Sequence, residues 1–464
     1  MSVEPTPAAV CGLPLVDAVQ ARVGPSRPGA PAVVQIEGPT AHFVLDNRDA
    51  SEAVRCTFEI RGASVRPDGV FFGFEALGAP PGKVEAIAPG RVRVTYPILG
   101  GAYGLVSVEP PVRVVDDPYR FAWQGLTATV AGGALLGFDG GTPRVRSLGP
   151  ETIVTIHNPG PGPARAVVLV DNTSPRLSKP SADGLARAQV ERVAPLEVRF
   201  SGEVSSGNRA TLRLAPEELG SEVTFIFGGD IRGKVELFRR LVAEARRQHD
   251  PSFIVTSGDY TDNALPGELA RYLVGMAGLD LPVYPVVGNH ELHAQGARHY
   301  ARRFGPRRYA LTVGDLVLVL LDSNEPGPGG FRLGAEQLAW ADGVLAEHRS
   351  MRHKLLALHA PPQPIHHPSS WAFYPSNLSS GDATRLMDLS AKHGVAYVLS
   401  GHVHLYARGE QRGTVYLTSG GGGARLQQDA EMPGFTIVKE HHVVVLRATA
   451  RGIEDFRVSL SATP

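Results

Sequence analysis

Five places in this chain of 464 residues end an apolar run with side chains able to bind a cation. In order they are "GGDIRG" with Asp230, "TSGDYTDN" with Asp259 and Asp262, "VVGNHELH" with Asn289, His290 and Glu291, "LLALHAPP" with His359, and "VLSGHVHLY" with His402 and His404. Glycine precedes several of these donors and lets the backbone turn sharply beside a ligand. Carboxylate and amide oxygens with imidazoles, and no thiolate, suit a divalent first-row metal: Mn, Fe, Zn or Co. Asp230, Asp259, Asn289, His359, His402 and His404 are too many donors for one tetrahedral ion, and point to two ions about 3.5–4 Å apart. On an extended segment His402 and His404 fall on one face, because side chains alternate with a period of two, so they can serve neighbouring ions. Singly, each place has a plainer explanation. A strand-end Asp is usually a turn acid and a strand-end His a satisfied core residue; the whole ordered set between 230 and 404 carries the signal.

The elements that must position these residues change texture along the chain. From 33 to 218 the sequence is written in short alternating runs such as "VRCTFEIRG" (54–62), "GRVRVTYPI" (90–98), "RAVVLVDN" (165–172) and "LEVRFSGEV" (196–204), punctuated by Gly, Pro and Asn. That pattern predicts antiparallel β-sandwich modules. We divide it into modules 33–116 and 117–218, meeting near the glycine-rich "VAGGALLGFDGGTP", after a flexible Pro/Ala-rich leader over 1–32. From 219 to 464 apolar runs alternate with helical stretches at 234–249, 334–348 and 381–394, the last with Asp382 as N-cap and Gly394 just past its end. Alternating strands and helices imply an α/β layer structure whose ligands sit beyond the carboxyl ends of the strands.

Composition narrows the class. Hydrophobic residues make up 43% and charged residues 20%, as in an ordinary globular protein, and the 53 Gly and 38 Pro favour turn-rich β structure. Lys plus Arg and Asp plus Glu both number 46, so the net charge is zero and no nucleic-acid partner is expected. No run is long and apolar enough to span a bilayer. The two cysteines, Cys11 and Cys56, are too few for a disulfide framework or a zinc ribbon. No signal peptide is legible, so the chain as written reads as cytoplasmic; a lost or trimmed leader would make it extracytoplasmic. The oligomeric state is not legible.

The motif set resembles the calcineurin-like metallophosphoesterases, whose signature is Asp-x-His, Gly-Asp-x-x-(Asp/Asn), Gly-Asn-His-(Asp/Glu), a strand-end His and Gly-His-x-His. The resemblance covers 219–460 and leaves the first 218 residues unexplained. It implies a four-layer αββα sandwich, preceded here by all-β modules, and hydrolysis of phosphate mono- or diesters by attack of a metal-bound hydroxide. It also implies that Asp259 bridges two ions, that Asp230 and His404 complete the first site, and that Asn289, His359 and His402 complete the second. His290 would sit near the leaving-group oxygen as general acid or charge stabiliser. His366 and His367 fall on a rim loop; His441 and His442 read as sheet-edge residues rather than ligands. Purple acid phosphatases need a Tyr three residues after the bridging Asp, where this chain has Asp262.

One position departs from the pattern. Arg232 stands where the family has a metal-binding His, and a guanidinium has no lone pair to give. Three readings stay open: two ions, with Arg232 clamping a phosphate oxygen; one ion, with Arg232 replacing the other; or a degraded site. In a rival reading the β-rich half is a binding module and the C-terminal half an inactive scaffold. A second rival, a nuclease, is weighed against by the neutral charge and the lack of basic-aromatic clusters.

Overall fold

The computed structural model describes residues 9–24, 30–38, 40–63, 65–74, 82–100, 102–109, 115–217, 222–293, 296–325, 331–363, 377–429 and 431–460. The chain forms two compact units. One comprises Met1–Arg113 with Asn263–Leu273 and His293–His299; the other comprises Val114–Asp262, Val274–Leu292 and Tyr300–Pro464.

In the first unit two five-stranded sheets close over a core that includes Phe43, Phe58, Ile60, Val94 and Val106. Alternation explains the strands: Arg91–Ile98 buries Val92, Val94, Tyr96 and Ile98 and turns the residues between them outward. The stretch read as a flexible leader is partly ordered. Ala9–Val10, Leu13–Val19 and Ala21–Gly24 are strands, Leu13–Val19 pairs with Ala41–Asn47, and a Cys11–Cys56 disulfide ties this end to Val54–Arg61. Its apolar residues Val10, Leu13, Leu15 and Val23 are diluted by Ala, Pro and Gln, which hid the alternation.

The second unit opens with another sandwich of two five-stranded sheets, spanning Arg120–Pro216. The glycine-rich stretch lies inside this sandwich rather than between modules. It forms the strand Gly133–Asp139 and its turns, with Gly132, Gly140 and Gly141 at positive φ. Downstream, a five-stranded sheet and a seven-stranded sheet pack face to face through Phe225, Phe227, Phe253, Val255, Leu318, Leu320, Leu355 and Ala357. Helix Val235–His249 buries Phe238, Leu241, Val242 and Ala245 and lies on the strands of the first sheet. Helices Ala335–Glu347 and Ser380–His393 cover the second sheet through Leu338, Ala341, Leu345, Leu386 and Leu389. The layers therefore run helix, sheet, sheet, helix.

Ala134, Leu148 and Leu177 extend this core into the second sandwich. Its Arg146 and Asn172 bond the C=O and N–H of Val283, both at 2.8 Å, covering what would otherwise be a bare sheet edge. In helix Ser380–His393 the N-cap is Ser379, not Asp382. Asp382 is buried in the first turn, where it accepts the Leu333 N–H at 3.0 Å, while Gly394 ends the helix at φ 64°.

His442 opens an inner strand, His442–Thr449, not a sheet edge. Burial, chiefly, lowers its pKa to about 4, and Arg457 and His441 push the same way. The unfolded chain therefore takes up a proton that the folded chain refuses, and stability falls as pH drops from about 6.5 to about 4. This residue alone accounts for roughly 3 kcal/mol over that window. A His442→Gln variant should lose correspondingly less stability between pH 7 and pH 4.5 in urea unfolding.

Candidate metal centre

Two pairs of neighbouring parallel strands, one pair from each packed sheet, deliver the donors to one edge. Val223–Gly228 and Phe253–Thr256 lead into Asp230 and Asp259. His353–Ala357 and Tyr397–Ser400 lead into His359 and into His402 and His404. Val283–Pro285, on the far side of Phe253–Thr256, leads into Asn289 and His290. The chain must reverse within two or three residues of each strand, and it does so in left-handed conformations: φ is 55° at Asp230, 47° at Arg232, 54° at Asp259 and 67° at His402. Such angles are strained for non-glycine residues and persist only where the surroundings hold them. Gly258 sits at φ 96° with no room for a side chain, since a Cβ there would lie 2.7 Å from both Gly288 Cα and His359 Nδ1.

Asp259, His359 and His402 bring one ligand atom each within 4.8 Å of one another. His359 Nε2 lies 3.0 Å from Asn289 Oδ1, 3.2 Å from His402 Nδ1 and 3.3 Å from Asp259 Oδ1. His404 Nε2 lies 3.4 Å from Asp230 Oδ1, and Asp230 Oδ2 accepts the His402 N–H at 2.9 Å. All six proposed ligands thus come together in two adjoining groups.

The tautomers follow from backbone carbonyls, which can only accept. His359 Nδ1 donates to Ser257 O at 2.6 Å, and His404 Nδ1 donates to Arg425 O at 2.8 Å. Each ring therefore turns its Nε2 toward the cluster, as a metal-binding histidine held by its other nitrogen does. His359 Nε2 then faces an amide oxygen, a carboxylate and another imidazole, and the buried Asp230 Oδ1 has no hydrogen-bond partner among the described residues. A proton on Nε2 or a bound cation satisfies these acceptors, and a set of carboxylates, an amide and imidazoles converging in this way fits divalent metal.

Electrostatics agree. Burial opposes charge at His359, yet Asp259 and Asp230 outweigh it and push its pKa up to about 9. Burial likewise opposes the Asp259 carboxylate, which His359 and His290 nevertheless hold well below the usual range. Binding a metal here means displacing a proton from His359.

His290 and Arg232 stand beside the cluster rather than in it. His290 Nδ1 donates to the Asp262 carbonyl at 2.8 Å, and its Nε2 lies 3.8 Å from Asp259 Oδ2. Arg232 Nε donates to the Asp262 carboxylate at 2.5 Å. Burial weakens the guanidinium's hold on its proton, but Asp262, Asp259 and Asp230 outweigh it, so the charge is kept. Its terminal nitrogens make no hydrogen bond among the described residues.

Two residues noted at the strand ends have roles that escaped the sequence reading. Asp262 holds both Arg232 and His290. Glu291 is fully buried and accepts the N–H groups of Gly288, Asp259, Tyr260 and Thr261 at 2.7–3.2 Å, fixing the loop that presents Asp259. The acid following "GNH" was the only available signal for it. His366 and His367 lie outside the described residues. Among the described residues no helix is long and apolar enough to cross a membrane.

Comparison with known proteins places this arrangement. A probable cyclic nucleotide phosphodiesterase of Synechococcus sp. is 28% identical over 159 residues, 34% of this chain and 60% of its own length. The 3',5'-cyclic adenosine monophosphate phosphodiesterase of Escherichia coli K12 is 30% identical over 168 residues, 35% of this chain and 58% of its own length. The chain therefore spans about three fifths of these curated relatives. A purple acid phosphatase from yellow lupin seeds superposes with a TM-score of 0.45 at 14% identity, over 90% of each chain. Residues 223–406 match the family model of the calcineurin-like phosphoesterases.

Proposed function

We propose that this protein hydrolyses phosphate esters in a reaction that depends on two divalent metal ions. The convergence of Asp259, Asn289, His359 and His402 beside the Asp230–His404 pair carries this reading, because carboxylates, an amide oxygen and imidazoles gathered at one edge are the donor set of a divalent metal. Asp259 would be the shared ligand, and the two groups adjoin through the His402 N–H that Asp230 accepts at 2.9 Å. Bound there, the metals would supply Lewis-acid neutralisation of phosphoryl oxygens and a water of lowered pKa.

The protein's own groups have separate tasks. Asp262 fixes Arg232 through Nε and leaves its terminal nitrogens to clamp phosphate oxygens in a planar fork. The same residue's carbonyl accepts the His290 Nδ1–H and orients the ring, so that the imidazolium form would present Nε2–H as a proton donor to the departing oxygen. Glu291 holds the Asp259 loop rigid.

The names of the two curated relatives make a cyclic nucleotide diester the first substrate to offer. The test is to strip the protein with chelator and reload Mn, Fe, Zn or Co. Turnover of 3',5'-cyclic AMP, bis(p-nitrophenyl) phosphate and p-nitrophenyl phosphate is then measured. We expect metal-restored turnover of at least one ester. Its absence at every loading would favour the scaffold reading, for which Arg232 in a ligand position is the one structural argument.

A further inference from the structure

The second sandwich carries a polar groove that phosphoester hydrolysis does not use. We propose that it is a binding site for an acidic oligosaccharide. It lies on the outward face of the sheet containing Ala164–Asp171, Ala186–Ala194 and Glu197–Val204, and encloses about 500 Å³. That volume is in the range of small-ligand sites.

The strand register builds this face. Val167 pairs with Ser201 and Ser201 with Gln189; in the next row Arg199 pairs with Glu191. Directly paired residues, and residues two apart on one strand, share a face, so Arg165, Arg199, Ser201, Gln189 and Glu191 all project into the groove. Their neighbours Ala166, Val168, Val198 and Phe200 fill the sandwich core behind them. Gln124, at the tip of the hairpin Arg120–Ala131, closes one end.

The lining selects the ligand. It is mainly polar, which rules out a lipid or a flat aromatic cofactor. Amides, hydroxyls, a carboxylate and guanidinium groups line it together, so it offers both donors and acceptors to a polyhydroxylated chain. Two arginines and one acid line the groove, and Glu203, which pairs across the register with Arg165, is engaged by Arg187 at 3.3 Å. Arg199 is engaged by Glu191 at 3.6 Å, whereas Arg165 is exposed and makes no ion pair among the described residues. That leaves one planar cation for a ligand carboxylate. A bare phosphate would use the arginines and leave the amides and Glu191 without purpose.

The test is calorimetric titration of the full-length protein with digalacturonate, cellobiose and inorganic phosphate as probes. We expect saturable binding of digalacturonate, with cellobiose and phosphate weaker by about tenfold or more. Arg165→Gln should weaken the acidic sugar by about tenfold while leaving the melting temperature and ester turnover unchanged. Three outcomes would overturn the proposal: no saturable binding of digalacturonate, binding indifferent to both Arg165→Gln and Arg199→Gln, or phosphate binding as tightly as the sugar. Because the groove contains no residue of the metal centre, its failure would leave the phosphoesterase reading untouched.

Discussion

Asp259→Asn should abolish metal retention and ester hydrolysis together. On the proposed reading Asp259 is the ligand shared by both ions. It lies 3.3 Å from His359 Nε2, faces His290, and accepts the His290 N–H at 3.1 Å. Loss of a residue that merely orients a ligand typically costs about 10- to 100-fold in metal affinity, so loss of a shared ligand should cost more. The asparagine keeps the shape and one acceptor oxygen, and the loop remains anchored by Glu291, so circular dichroism should show a folded protein. Wild-type metal content in this variant would remove Asp259 from the ligand set.

His290→Ala should separate rate from metal. The ring sits beside the cluster, tied to the Asp262 carbonyl rather than to the facing lone pairs, so metal content should stay at the wild-type level. Ester turnover should nevertheless fall by about 10²–10⁴-fold, the usual worth of a positioned acid, mainly in kcat. Esters with good leaving groups, such as p-nitrophenolate, should lose least, because their oxygen needs little protonation. Loss of metal with the imidazole would make His290 a ligand and end its assignment as acid.

The donors of the centre were legible in the sequence because each follows directly on an apolar strand, and strand ends are where an α/β layer structure gathers its ligands. The αββα half was legible for the same reason: its inner strands are apolar runs, its helices amphipathic, and a glycine marks the end of Ser380–His393. What holds the donors in place was much less visible. Ser257 and Arg425 act through backbone carbonyls, which no side-chain pattern reveals. Asp262 is recognisable only once Arg232 lies against it. The leader was misread because strand Leu13–Val19 is written in Pro, Asp and Ala as well as apolar residues, and is completed by pairing with Ala41–Asn47. The glycine-rich stretch was misplaced because glycines that turn a hairpin look, in sequence, like glycines that separate domains.

Arg232 remains the position on which the account turns. Its link to Asp262 occupies Nε and leaves Asp230 Oδ1 and His404 Nε2 facing each other at 3.4 Å, so on the proposed reading a second ion would keep its ligands. The most direct test is metal content per chain, measured on protein purified without chelator, for the wild type beside Arg232→His. The account predicts two ions in both proteins. One ion in the wild type rising to two in the variant would make the arginine a stand-in for the missing metal. No metal in either, even after Mn or Zn is offered, would contradict the account outright.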